Sequence, residues 1–215
     1  MINYKNIEQK SLEWFEIKWG KIGGSLSKGL FVDSETLLID LISQLSEEFE
    51  YLEDGFSNAA TERGSDLEPF AREYLEKYLG IEFKQVGWLQ CEKNILLGIS
   101  PDGITDDETE SCEIKCLGRK AHMKILLDNV LPISHTHQCI HYFTVNPKLK
   151  KHHFLAFRPE ALKHYQITLT LESIVNIGTE KKPKLITIKE ASEYARSQAD
   201  ILLKQINEKI ELLKF

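Results

Sequence analysis

Apolar positions recur at helical spacing near the N-terminus and switch to strand-like runs past residue 80. Leu12, Trp14, Phe15 and Ile17 follow Ser11, a helix-capping residue type, and the pattern stops at Gly20. "KIGGS" reads as a turn. "DSETLLIDLISQLSEEFEYL" predicts a second amphipathic helix capped near Asp33 or Ser34. "DLEPFAREYLEKYLG" predicts a third, with Gly80 just past its end. The period then changes, and "IEFKQVGWLQ", "NILLGIS" and "SCEIKCLG" predict three strands. "SHTHQCIHYFTVN" predicts a helix ended by Asn146-Pro147, "HHFLAFRP" and "YQITLTL" two more strands, and Ile188 to Phe215 a long amphipathic helix. "GTEKKPK" is an exposed loop within the domain. Helix, three strands, helix, strand is the order of an α/β layer with a mixed sheet flanked by helices.

The chain's 215 residues suit a single domain, 1–215, large enough to bury a core. A hydrophobic content of 42% and a charged content of 28% place it among ordinary globular proteins. No apolar run reaches membrane-spanning length, and the N-terminus lacks the apolar core of a signal peptide, so the expected location is cytoplasmic. The net charge of −6 argues against a general nucleic-acid coat but leaves room for a local basic pocket. Cys91, Cys112, Cys116 and Cys139 form no CxxC pair and read as buried free thiols. His137 and His141 share a helix face, but without an HExxH pattern a zinc hydrolase is not expected.

The chemistry concentrates in "GISPDGITDDETESCEIKCLG". On the strand from Cys112, Cys112, Ile114 and Cys116 take one face while Glu113 and Lys115 take the other. If this strand pairs with the preceding one as a hairpin, Asp102 comes close to Glu113 and Lys115. Two carboxylates supply hard oxygen ligands for Mg²⁺, and a lysine orients water and offsets phosphate charge. From spacing alone, a solvated hairpin carrying a surface Glu–Lys pair is an equal alternative, since "PDG" is also a common turn.

"PDG…EIK" resembles the PD-(D/E)XK nuclease signature. Three further blocks resemble the lambda exonuclease family, the YqaJ-type viral recombinases: "LEWFEIKWGKIGGS", "RGSDLEPFAREYL" and "HQCIHYFTV". They occur in the family's order and cover roughly Leu12 to Arg158, a motif-bearing core of about 11–158, with the C-terminal strand and helix outside it. The resemblance implies a restriction-endonuclease-like core. It also implies a Mg²⁺-dependent 5′→3′ exonuclease, with Mn²⁺ as a substitute, that degrades one strand of double-stranded DNA from its ends. The remaining 3′ strand would serve recombination through a single-strand annealing protein. A ring-shaped homo-oligomer, often a trimer, goes with the family, and host cytoplasm with a phage-encoded protein.

By that resemblance Asp102, Glu113 and the Ile114 carbonyl hold metal, Lys115 is the catalytic lysine, and Glu68 closes the site on the metal or its water. Gln138 lies near the nucleophile. Lys18, Ser25 and Ser100 fall where the family holds a 5′-phosphate, with Arg119 or Lys120 as a further cation. Position 18 is usually Arg in the family, and its second Gln is Ile140 here. Each residue also has a plainer reading: Ser65-x-x-Glu68 fits a capping box, Ser25 fits a helix cap, Gln138 a surface position and Lys18 a solvated charge. An endonuclease or single-strand-specific nuclease on the same core, and a non-catalytic DNA-end-binding protein, are the alternative functions.

Overall fold

The computed structural model describes residues 1–4, 6–32, 34–51 and 59–213. A first strand, β1 (Ile2–Tyr4), precedes α1 (Leu12–Lys18), α2 (Glu35–Ser46) and α3 (Ala59–Leu79). The central part holds β2 (Trp88–Gln90), β3 (Gly98–Ile99), β4 (Gly103–Ile104), β5 (Glu110–Cys116), α4 (Arg119–Asp128), α5 (Ile133–Val145) and β6 (Lys151–Phe157). It closes with β7 (Tyr165–Leu169), β8 (Ile174–Asn176), β9 (Leu185–Thr187) and α6 (Ile188–Leu212). Among these elements none is a helix long and apolar enough to cross a membrane.

The helix ends follow local chemistry. Ser11 accepts from the Trp14 N–H and Ser34 from the Leu37 N–H, each supplying a partner to an orphan first-turn amide. Asp33, the other candidate cap, lies outside the described residues, as do Leu52 and Phe215 at the ends of two predicted helices. α2 stops at Ser46, short of its predicted length. Glu47, Glu48 and Glu50 follow, and negative charge opposes the dipole at a helix C-terminus. α3 ends at Gly80 with φ +67°. It begins at Ala59, however, so Ser65 and Pro69 lie inside it and the capping-box reading of Glu68 fails. Thr187 and Glu190 form a reciprocal capping box that starts α6.

The main sheet has the order β4-β5-β6-β7. β5 and β6 are parallel, and the flanking pairs β4–β5 and β6–β7 are antiparallel. A second sheet, β1-β2-β3, is antiparallel throughout, and β8 pairs with β9. The predicted hairpin partner therefore changes. The run ending at Ile99 pairs with β2, and the strand that pairs with β5 is the two-residue β4 beyond Pro101. The chain switches sheets at Ser100-Pro101-Asp102, where proline supplies no N–H to continue either ladder.

A parallel pair needs a crossover, and α4 and α5 form it between β5 and β6. α5 is buried from Thr136 to Val145 apart from the half-buried Gln138. It packs on α6, while His141 Nε2 donates to the Ile22 and Gly98 carbonyls at 3.0 Å each. Gly98 is required by close approach, because a Cβ there would stand 2.1 Å from the Trp88 ring. On the other face of β5, Cys112 and Ile114 pack with Ala71 and Leu75 of α3, Phe83 and Leu155. The four cysteines are free thiols, with Cys112 and Cys139 buried and Cys91 and Cys116 partly so.

Candidate active site

β5 delivers Glu113 and Lys115 to the face opposite its apolar one. Glu113 is only 2% exposed, so this is an enclosed carboxylate and not a solvated surface pair. A buried charge needs partners, and Glu113 has three donors. Lys115 Nζ and Gln138 Nε2 both donate to its Oε1, the second at 2.6 Å, and the Tyr142 hydroxyl donates to Oε2 at 2.6 Å. Gln138 and Tyr142 are four residues apart on α5, hence on one helix face.

Asp102 stands at the sheet-switching corner opposite β5. Its Oδ2 accepts the Ile114 N–H at 2.6 Å, and its backbone carbonyl accepts from Arg72 Nη1 at 2.5 Å. Gln9 Nε2 donates to the Pro101 carbonyl at 3.0 Å and fixes the corner from the other side. Burial, then the Glu113 and Glu68 charges, hold the Asp102 carboxyl well above the ordinary range. Glu68, on α3, lies 3.7 Å from Arg72 and accepts from Gln85 at 3.2 Å. Burial raises its pKa foremost, while Arg72 and Lys10 oppose and Glu113 adds to the rise. For Lys115, burial works downward, but the Glu113 and Asp102 charges prevail and raise its pKa. Lys115 is therefore an ammonium ion at neutral pH.

These groups line one cleft of about 190 Å³. Its walls include Asp102, Glu113, Lys115, Gln138 and Tyr142 and, on the other side, Lys18, Ser25 and Ser100. Lys18 Nζ sits 3.4 Å from the centroid of the Trp14 ring and makes no ion pair among the described residues. Burial pushes its pKa down to about 8. Ser100 donates to the Gly87 carbonyl at 2.7 Å and accepts from Trp14 Nε1 at 3.0 Å. Its hydroxyl proton is thus engaged within the protein. Ser25 caps no helix, since the nearby 3₁₀ turn spans Ser27–Leu30 and has Leu26 at its start. Glu68 and Arg119 are not in the lining; Arg119 is the exposed first residue of α4.

Tyr142, Trp14, Gln9 and Arg72 are the site's contributors that sequence reasoning missed. Tyr142 could have been found from its i+4 relation to Gln138. Gly24 matters because a Cβ there would fall 2.8 Å from Gln138 Cγ and 3.2 Å from its Nε2. Gly24→Ala is therefore expected to push a flexible side chain off Glu113 with little loss of melting temperature. Catalysis should fall roughly ten- to a hundredfold, the scale of a misplaced active-site group. Parallel melting and turnover measurements on this variant check both parts.

The Glu113 charge raises the proton affinity of both Asp102 and Glu68, and Lys115 is one cation among the three carboxylates. A divalent ion relieves such an excess, and hard carboxylate oxygens suit Mg²⁺. The fit is one of donor chemistry. Among the described residues no three His, Cys, Asp or Glu side chains stand together as a ligand set, and Glu113 is engaged by its three donors.

Residues 13–148 match the family model described as the YqaJ-like viral recombinase domain. No significant match was found among curated proteins. Among solved structures, the chain is similar to an alkaline exonuclease, LHK-Exo, from Laribacter hongkongensis. The TM-score is 0.75 at 20% identity, over 95% of this chain and 96% of that one. LHK-Exo in complex with dAMP gives a TM-score of 0.72 at 21% identity, with the same shares covered. At this identity the likeness is one of fold.

Proposed function

The chain belongs to the YqaJ-like viral recombinase family, and on that premise we propose that it is a Mg²⁺-dependent exonuclease that degrades one strand of linear double-stranded DNA in the 5′→3′ direction. The observation that carries this reading is the single cleft joining Asp102, Glu113, Lys115 and Gln138 to Lys18, Ser25 and Ser100. A carboxylate–lysine cluster alone fits any metal-assisted phosphodiester hydrolysis. A half-buried cation, Lys18, and the Ser25 hydroxyl in the same small cleft add a place to hold a strand end, which favours an exonuclease over an endonuclease. The alkaline exonuclease of like fold is consistent with this choice.

Asp102, Glu113 and the Ile114 carbonyl would hold Mg²⁺, with Glu68 closing on it or on its water. Mn²⁺ would substitute. Bound there, the ion would polarise the phosphate oxygens and make bound water more acidic. Lys115, already an ammonium, does not take a proton from water. Its role is to orient the attacking water and offset charge gathering on the phosphate. Gln138 and Tyr142 fix the Glu113 carboxylate so that its position does not depend on Lys115 alone. The product would be a 3′ single strand, used by an annealing protein in recombination. A homo-oligomeric ring, possibly a trimer, would keep the enzyme on its DNA.

Lys18 carries the direction of digestion in this account. Its charge is lost as pH rises through about 8 in the free protein, and a dianionic phosphate favours the charged form. Lys18 is a point charge without the fork of arginine. Linear duplexes with 5′-phosphates are expected to be digested faster than 5′-hydroxyl duplexes, and the ratio should fall above about pH 8. Lys18→Arg should keep the ratio flat with pH, and Lys18→Ala should shrink it towards unity. Initial rates on both substrates across pH 7 to 9.5 test this. Equal rates for the unmodified protein, or digestion starting at 3′ ends, would remove Lys18, Ser25 and Ser100 from this role.

A further inference from the structure

A second hollow of about 320 Å³ adjoins the catalytic cleft, and the two share Gly24, Ser25 and Gln138 in their walls. Lys28, Ser134 and Thr179 contribute a cation and two hydroxyls to it, and Glu180 one opposing charge, which stands 4.0 Å from Lys124. Gly178, Thr179 and Glu180 belong to the turn between β8 and β9, which continues directly into Lys181, Lys182 and Lys184. Lys28 and these three lysines are exposed and make no ion pair among the described residues.

The lysine-bearing turn is tied down. Asn176 Oδ1 accepts the N–H groups of Gly178 and Lys184, both at 2.9 Å. Thr179 Oγ1 accepts the Lys182 N–H at 3.0 Å, and the Lys182 carbonyl accepts the Thr179 N–H at 3.1 Å. A Cβ at Gly178 would stand 2.3 Å from that carbonyl, so the turn is as tight as glycine allows. Cations on a fixed backbone lose less freedom on binding than cations on a loose one.

Resting on the nuclease reading above, we propose that this hollow and the β8–β9 turn form a phosphate-binding track for the strand whose end occupies the cleft. Ser25 and Gln138 form the partition between the two compartments. The backbone phosphates next to the linkage being cut would pass Lys28 and then the turn lysines. Sugar–phosphate contacts of this kind position a strand without reading its sequence.

The test is the salt dependence of binding to a 5′-phosphorylated linear duplex, measured by fluorescence anisotropy in chelator so that no strand is cut. Each lost phosphate contact lowers the slope of log Kd against log salt by about 0.7 to 0.9. Lys28→Ala combined with Lys182→Ala and Lys184→Ala is expected to lower the slope by about two and to raise KM with kcat retained. Lys150→Ala with Lys209→Ala, exposed lysines on other elements, should leave the slope unchanged. Neutral methylphosphonates in the first few linkages of the 5′-ended strand should weaken the unmodified protein and barely affect the triple variant. Asn176→Ala, which keeps every lysine and releases the turn, should weaken binding with the slope retained. An unchanged slope in the triple variant, or sensitivity only to methylphosphonates in the complementary strand, would overturn the track. Absence of any DNA degradation would instead remove the nuclease reading on which it rests.

Discussion

Lys115→Met is expected to lower DNA-end degradation by about three orders of magnitude, the upper scale for removing a preorganised charge at a reacting phosphate. The change keeps the length of the side chain. Its cost in folding is limited because Glu113 retains Gln138 and Tyr142 as donors. Glu113→Gln is expected to lose at least as much, since the variant gives up a charge that both Lys115 and a bound ion require. The two losses should not add. Lys115 and Glu113 act as one hydrogen-bonded unit, so the double variant should resemble the worse single variant. Turnover of a linear duplex by the two single variants and the double variant, with circular dichroism to verify folding, checks the magnitude and the non-additivity. Near-normal turnover by folded Lys115→Met would remove Lys115, and with it the acid–lysine mechanism, from the chemistry.

Glu68→Gln carries the second large effect. The residue could have been a helix cap, and a lost cap costs about 1 kcal/mol with no direct effect on chemistry. That role is gone, because α3 begins at Ala59 and Glu68 lies well inside it. What remains is a carboxylate whose pKa burial raises, and which shares its surroundings with Asp102 and Glu113. Glu68→Gln relieves like-charge repulsion and keeps the side chain's shape. Melting temperature is therefore expected to hold or rise slightly while turnover falls about a hundredfold. Turnover equal to that of the unmodified protein would leave Glu68 a partner of Arg72 and Gln85 and nothing more.

Much of this arrangement was legible in the chain before any coordinates. Ser11, Ser34, Gly80 and Asn146-Pro147 mark helix ends through capping, left-handed and proline chemistry that acts over a few residues. The alternation in β5 separated Glu113 and Lys115 from Cys112 and Ile114 correctly. Non-local pairing was not legible. β4 is too short to show a period, so the pattern alone assigns the strand before it as the hairpin partner of β5. α4 follows Gly118, which offers no side-chain cap, and so it gave no start signal. In the cleft, the acid–lysine pair stood out by type and spacing, while Gln138 was singled out only by the family resemblance. Tyr142 did not, because an aromatic on a buried helix face reads as core until Glu113 is seen beneath its hydroxyl. Arg119, expected as a cation compensating for Lys18, begins α4 and is not among the residues lining the cleft.

The most direct test of the central claim is a single digestion experiment on linear duplex DNA and on a covalently closed circle of the same sequence. Each is incubated with Mg²⁺ and, in parallel, with chelator, and the release of acid-soluble nucleotide is followed over time. A Mg²⁺-dependent exonuclease releases nucleotide from the linear duplex with Mg²⁺, releases none with chelator, and leaves the circle intact in both. Cleavage of the closed circle at a comparable rate, or release that persists in chelator, would contradict it.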